Sequence, residues 1–323
     1  MKRFLPVLLS ACLVLGLLSG CGGNSAGAAP ADGGKLRVVT TIFPIYDWVR
    51  EIAGDSVELT MLLGSGVDLH SYQPTVDDIV KVSGCDVFLY VGGESDAWVQ
   101  DAMKEASNPD MVVINLLEVL GDRARQEELV EGMEAEAGEE DAGEPEFDEH
   151  IWLSLRNAAF LCGYIAERLE EKAPADAQTF RQNAEAYIGK LKELDGRYQA
   201  AVDAAPVRTL LFGDRFPFRY LTEDYGLNYY AAFSGCSAET EASFETIVFL
   251  AKKTDELGLH SILQLESSDG SIAGTIRDNT ASGDQTILTL NSLQSTTAAD
   301  AAAGASYLSI MEDNLKVLEE ALS

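Results

Sequence analysis

Three histidines, His70, His150 and His260, are the only imidazoles in a chain of 323 residues. A lone histidine is more often structural or merely exposed than a ligand, so each takes its meaning from its setting. His70 lies in Gly66-Val67-Asp68-Leu69-His70-Ser71-Tyr72-Gln73-Pro74-Thr75, directly after an expected strand end. His150 lies in Phe147-Asp148-Glu149-His150-Ile151-Trp152, where an acidic stretch meets the expected start of a helix. Both stand on connections at element ends, where sites are usually built. Neither belongs to an HExxH motif, and no serine or cysteine nucleophile motif accompanies them, which leaves a metal-dependent hydrolase as the weaker alternative to a binding site.

The elements that must position these residues follow an α/β rhythm from Lys35 onward, with β-rich runs alternating with amphipathic stretches, as parallel sheets require. Strands are expected at 36–42, 57–63, 87–91 and 111–116, with helices at 44–53 and 75–83. Between 121 and 149 acidic residues crowd among small ones. Like charges at that density repel one another and bury little, which predicts a mobile loop. Helices are expected at 151–171 and, without a break, at 175–204. A helix that long reads as a strut joining two lobes, although Gly189 and Gly196 weaken its interior. The rhythm then repeats, with strands at 208–212, 228–233, 261–265 and 286–290, helices at 216–224, 241–257 and 271–280, and a final helix at 306–322. The implied organisation is an N-terminal lobe over 35–172, a linking helix over 173–205 and a C-terminal lobe over 206–323, with ligand held in the cleft at the carboxyl ends of the strands.

The first 34 residues read differently. Lys2 and Arg3 precede an apolar run that is too short to cross a bilayer and ends in small residues, which is the pattern of a secretion signal over 1–20. Leu18-Ser19-Gly20-Cys21 resembles the lipobox of bacterial lipoproteins, which makes Cys21 the lipidated residue and 21–34 a flexible tether rich in Gly, Ala and Ser. The formal charge is −30. Phosphates would be repelled, so nucleic acid is excluded as a partner, while cations are compatible. Cys85, Cys162 and Cys236 remain in the folded body with no CxxC spacing. They read as buried structural cysteines, with one disulfide plus one thiol left open as an alternative.

Several segments together resemble the solute-binding lipoproteins of zinc and manganese ABC transporters. They are Val39-Thr40-Thr41-Ile42-Phe43-Pro44, Asp68 to Thr75, Tyr90-Val91-Gly92, Asp148 to Leu153, the long helix, and Ala238-Glu239-Thr240-Glu241-Ala242-Ser243. The resemblance implies two lobes joined by one rigid helix, a metal held between them, and delivery of that metal to a membrane permease by a lipid-anchored monomer outside the cell. Carried over by position, His70 and His150 would be the ligands of the N-terminal lobe. Asp214, after the first strand of the C-terminal lobe, would be the third. The fourth position departs from the family, because Asn291 stands where an aspartate is often found, and Glu266 is the alternative. His260 matches no family ligand.

Two imidazoles with oxygen ligands suit zinc, manganese or iron better than calcium or magnesium. Two histidines with carboxylates resemble the manganese members, whereas the long charged loop before His150 resembles the zinc members, and Zn2+ is the expected ligand with Mn2+ the alternative. Surface adhesion, described for proteins of this family, is a further reading that no recognisable module in the sequence supports.

Overall fold

A computed structural model describes residues 34–134, 146–237 and 241–323. The expected signal over 1–20 and all of the tether but Gly34 lie outside the described residues. No helix among the described residues is long and apolar enough to cross a membrane.

Two four-stranded parallel sheets organise the body. The first contains β1 (Leu36–Thr40), β2 (Val57–Met61), β3 (Val87–Tyr90) and β4 (Val112–Asn115), in the order β2-β1-β3-β4. The second contains β5 (Thr209–Phe216), β6 (Asn228–Ser234), β7 (Ser261–Leu265) and β8 (Thr286–Leu290), in the order β6-β5-β7-β8. The two orders are the same. In each, the chain passes from the first strand to one side and returns on the other, so a crevice opens between β1 and β3 and between β5 and β7, outside the carboxyl ends of the strands. Parallel strands are buried on both faces, which explains runs such as Val87-Phe88-Leu89, where all three residues are fully buried.

The long helix is continuous from Ala177 to Ala204. Phe180, Ala184, Tyr187, Leu191, Leu194, Tyr198 and Val202 form one buried stripe at spacings of three and four residues. Gly189 and Gly196 fall on its exposed face with nothing packed over them, which is why they leave the helix unbroken. The stripe belongs to a single apolar core that runs from Val38 in the first sheet, through Leu161 and Tyr198, to Leu263 and Leu315 beside the second. The two lobes therefore share a core as well as a connecting helix. Trp152 adds a polar tie, because its indole donates to Ser292 O at 2.8 Å while the Tyr307 hydroxyl donates to Trp152 O at 2.6 Å.

Some expectations are corrected by these elements. The acidic stretch was expected to be mobile throughout 121–149, but its two described ends are tied down. Glu127 N donates to Glu146 O at 2.8 Å and Asp148 N to Arg125 O at 2.8 Å, which forms an antiparallel pairing around Gln126 and Phe147. Glu134 N reaches Ala232 O at 3.0 Å beside β6, and Arg219 pairs with Glu128 at 2.9 Å. The described part of the stretch thus finds a backbone partner at Ala232 and an arginine partner at Arg219 in the C-terminal lobe, and residues 135–145 lie outside the description. Strand β5 also extends four residues beyond its expected end, with a register shift between Phe212 and Arg215. Asp214 accordingly sits within the strand and not after it. The helix expected at 151–171 starts at Leu155, because Ile151–Leu153 form a separate 3-10 turn and Ser154 caps the helix.

Because nothing approaches a Cβ built at Gly189, Gly189→Ala should stabilise the fold by about 1 kcal/mol in urea denaturation, the difference in helix propensity between the two residues. A loss of stability would show that the linking helix packs against something on its outer face.

Candidate metal centre

His70 is carried by a single 3-10 turn, Leu69–Ser71, that follows β2. Asp68 caps this turn, accepting from His70 N at 3.0 Å. His150 is positioned in the same way, because Asp148 accepts from His150 N at 2.8 Å just before the turn Ile151–Leu153. In both segments an aspartate two residues ahead of the histidine folds the backbone locally, which is the turn chemistry that short acidic side chains favour.

The two rings meet tip to tip, with His70 Nε2 and His150 Nε2 separated by 3.2 Å. Their other nitrogens are occupied from behind. His70 Nδ1 lies 2.8 Å from Ser95 Oγ and 3.8 Å from Glu149 Oε2, and His150 Nδ1 lies 3.1 Å from Asp148 Oδ1. The Ser95 hydroxyl behind His70 and the Asp148 carboxylate behind His150 fix the two rings and leave their outward nitrogens as donors to a metal. A tetrahedral ion bonded to two imidazoles at about 2.0–2.1 Å places their nitrogens about 3.3–3.4 Å apart, close to the spacing seen here.

The positions behind the rings are themselves held. Glu149 Oε1 accepts from Ser95 N at 3.0 Å, while Glu149 Oε2 is buried without a hydrogen-bond partner. Gly93, at φ +81°, lets the chain after β3 fold directly against the Glu149 carboxylate, and any side chain there would overlap it. The Tyr220 hydroxyl donates to Asp148 O at 2.8 Å and accepts from Arg125 N at 3.0 Å.

Burial, reinforced by the neighbouring charge at His150, pushes His70 down to about 3, so its ring is neutral with a free lone pair. At His150 burial also acts downward, but Asp148, Glu149 and Glu127 outweigh it and the net shift is upward. Two facing nitrogens hold at most one proton between them, and a dication can replace it. Glu127 is raised by burial, as is Glu149.

The third side chain at this point is Cys236. His70, His150 and Cys236 bring their ligating atoms within 4.8 Å of one another, the only such group of three or more His, Cys, Asp or Glu residues among the described residues. Cys236 follows β6 in the turn Gly235-Cys236, and its backbone passes against His150 because Gly235 lacks a side chain. A Cβ on Gly235 would lie 2.9 Å from His150 Cε1 and 2.9 Å from Phe216 O. Burial and the carboxylates of Glu127, Asp148 and Glu149 push the Cys236 thiol well up, so it is protonated as it stands. Around these residues opens a cleft of about 640 Å³, lined among others by Ser95, Glu127, Glu149 and Ser234.

Asp214, Glu266 and Asn291 are engaged elsewhere. Asp214 Oδ2 accepts from Leu265 N at 3.0 Å and its Oδ1 from Arg215 N at 2.8 Å, holding β5 against the end of β7. Glu266 accepts from Ser292 N at 2.8 Å and Ser292 Oγ at 2.9 Å. Asn291 Oδ1 accepts from Leu293 N at 2.7 Å, fixing a turn in which Leu293 adopts φ 64°. None of the three joins the facing histidines in the group above. His260 is exposed. From the end of β5 it is Arg215 that crosses the cleft, bonding Asp68 Oδ2 at 2.8 Å and Ser237 O at 3.3 Å. All three remaining cysteines are free, and Cys236, expected to be structural, is half-buried in the cleft.

Cys236 and Arg215 were missed because neither belongs to a spaced motif. The available signal was positional: each stands at the carboxyl end of a C-terminal-lobe strand, where ligands gather in open parallel sheets.

Two lobes of parallel sheet around a shared helix, with paired imidazoles in the crevice between them, form a cleft whose facing nitrogens could hold a metal ion. The chain belongs to the family described as "Zinc-uptake complex component A periplasmic", which it matches over residues 38–321. It is 32% identical over 324 residues to the zinc-binding lipoprotein AdcA of Streptococcus pneumoniae R6, across 99% of this chain and 61% of that protein. The chain thus spans about three fifths of that relative's length. It is 28% identical to the high-affinity zinc uptake system protein ZnuA of Bacillus subtilis, across 98% of this chain and 96% of that protein. The Zn(II)-bound ZnuA-like domain of S. pneumoniae AdcA has a similar structure, with a TM-score of 0.71 at 30% identity, covering 90% of this chain and 99% of that one.

The close passage of Gly235 over His150 makes a simple prediction. Gly235→Ala should destabilise the protein by about 1–3 kcal/mol in urea, the usual cost of overpacking a closed contact. An unchanged midpoint would mean that the Cys236 turn does not lie against His150 in solution.

Proposed function

We propose that the protein captures zinc in the cleft between its lobes through His70 and His150 and hands it to the permease of an ABC transporter. The observation that carries this reading is the pair of Nε2 atoms 3.2 Å apart, each ring backed at Nδ1 by a fixed oxygen. A neutral imidazole needs no such convergence to be stable in a protein interior, whereas a metal requires it. The zinc-binding relatives support the choice of ion, and borderline nitrogen ligands bind zinc more tightly than manganese.

In this reading Asp214, Glu266 and Asn291 shape the wall of the C-terminal lobe and do not touch the ion. Arg215 and Asp68 join the two walls once they are closed. Secretion through the signal at 1–20 and lipidation at Cys21 would hold the protein on the outer face of the membrane as a monomer. No chemical step follows capture: a receptor holds its cargo and releases it.

A ligand that binds only the folded state stabilises it by RT ln(1 + [L]/Kd), about 2.7 kcal/mol at one hundred times the Kd. Zinc added to the metal-stripped chain should therefore raise its thermal midpoint, with a smaller rise for manganese. His70→Ala and His150→Ala should each remove the zinc effect. A rise that persists in both variants would place the metal elsewhere and refute the reading.

A further inference from the structure

We infer that Cys236 is a third ligand, so that the cargo site is a two-imidazole, one-thiolate centre selective for zinc-like dications over manganese. This inference rests on the metal-capture reading and adds to it the atom that chooses the metal.

Geometry supplies the first argument. The Cys236 sulfur stands within 4.8 Å of a ring nitrogen of His70 and of a ring nitrogen of His150. A tetrahedral centre with Zn–N of about 2.05 Å and Zn–S of about 2.3 Å sets nitrogen and sulfur about 3.6 Å apart, a separation that the sulfur reaches from this neighbourhood by a small movement. Rotation of one side chain supplies it.

The second argument is how the cysteine is held. Gly235 lets its backbone lie on the His150 ring. Arg215 then bonds Ser237 O at 3.3 Å and Asp68 Oδ2 at 2.8 Å, tying the turn that carries Cys236 to the turn that carries His70. One guanidinium thus joins the two lobes at the very turns that bear the sulfur and an imidazole. A cysteine kept only for packing would need neither contact. Cys85 and Cys162 show that alternative, since both are fully buried in the N-terminal lobe, with Cys85 against Met111 Sδ.

The third argument is charge. Glu127, Asp148 and Glu149 surround Cys236, and Glu127 interacts directly with its thiol. Among three carboxylates a free thiolate is unfavourable, but a dication at the same point is attracted by all of them. On coordination the sulfur gives its proton to solvent and takes the metal in its place. Thiolate sulfur favours zinc and is a poor partner for manganese, which prefers carboxylate and water. In the sequence, two histidines with carboxylates pointed towards manganese. Replacing the oxygen ligand by sulfur reverses that preference.

The test uses the full chain carrying Cys12→Ser and Cys21→Ser, loaded with cobalt(II) as a visible substitute for zinc. The expected result is a near-ultraviolet sulfur-to-cobalt charge-transfer band that disappears in Cys236→Ser and remains in Cys85→Ser. Zinc affinity should fall at least about tenfold in Cys236→Ser, since losing even an outer partner costs 10- to 100-fold, while manganese affinity changes little. Stoichiometric cobalt binding without the band, or a band that survives in Cys236→Ser, overturns the thiolate ligand and leaves the histidine site intact. Metal binding unaffected by His70→Ala overturns the capture reading itself. Should Cys236→Ser fold poorly, alkylation of the parent decides the matter: zinc should protect Cys236 from iodoacetamide, and equal labelling with and without zinc counts against it.

Discussion

Two imidazole nitrogens facing each other 3.2 Å apart in a buried cleft are the constraint around which this molecule is built. Neutral rings in that position gain one shared proton and lose the water that would otherwise satisfy them, so the arrangement is worth keeping only if something else binds there. Holding it demands rigid turns at His70 and His150, partners for both Nδ1 atoms, and walls that exclude solvent. The local structure meets each demand. Aspartates fold the two turns, Ser95 and Asp148 occupy the backs of the rings, and Gly93 and Gly235 bring backbone against Glu149 and His150.

The larger architecture serves the same point. Each sheet opens its crevice at the carboxyl ends of its strands, and the shared core along the Ala177–Ala204 helix keeps the two crevices facing one another. The N-terminal lobe contributes a histidine after β2 and another at the entry to Ile151–Leu153. The C-terminal lobe contributes Cys236 after β6 and Arg215 at the end of β5. Direct ties between the lobes, Arg215 to Asp68 and Trp152 to Ser292, lie beside the site. The contacts that join the lobes are thus made by sequence neighbours of the two facing histidines and of Cys236. The acidic balance acts locally here, through Glu127 and Glu149 at the cleft, since distant surface charge is screened in salt.

Much of this was legible in the chain. The eight strands and the long helix follow from periodicity and from the positions of Gly and Pro, because parallel strands buried on both faces leave continuous apolar runs. The histidine positions at element ends, supported by the family resemblance, led to His70 and His150, which the fold does bring together. For Asp214, Glu266 and Asn291 the sequence offers a ligand role without showing what else their oxygens could bond. A carboxylate or amide at a strand end serves equally well to accept backbone N–H groups, and it takes the fold to show that Leu265, Ser292 and Leu293 donate to these three. Cys236 was hidden for the opposite reason. Its neighbours in sequence carry no motif, and its nearness to His70 and His150 arises from the pairing of lobes across more than eighty residues. The acidic stretch misled because its composition shows self-repulsion but not the arginine and backbone partners that pin its described ends.

The central claim is that the metal lies between His70 and His150, and anomalous diffraction at the zinc edge from crystals of the zinc-loaded protein tests it most directly. The account predicts one strong peak in the interlobe cleft, about 2.0–2.1 Å from both Nε2 atoms. A peak bound to the Asp214 carboxylate or within the acidic stretch, with the two imidazoles still facing each other and free of metal, would contradict it.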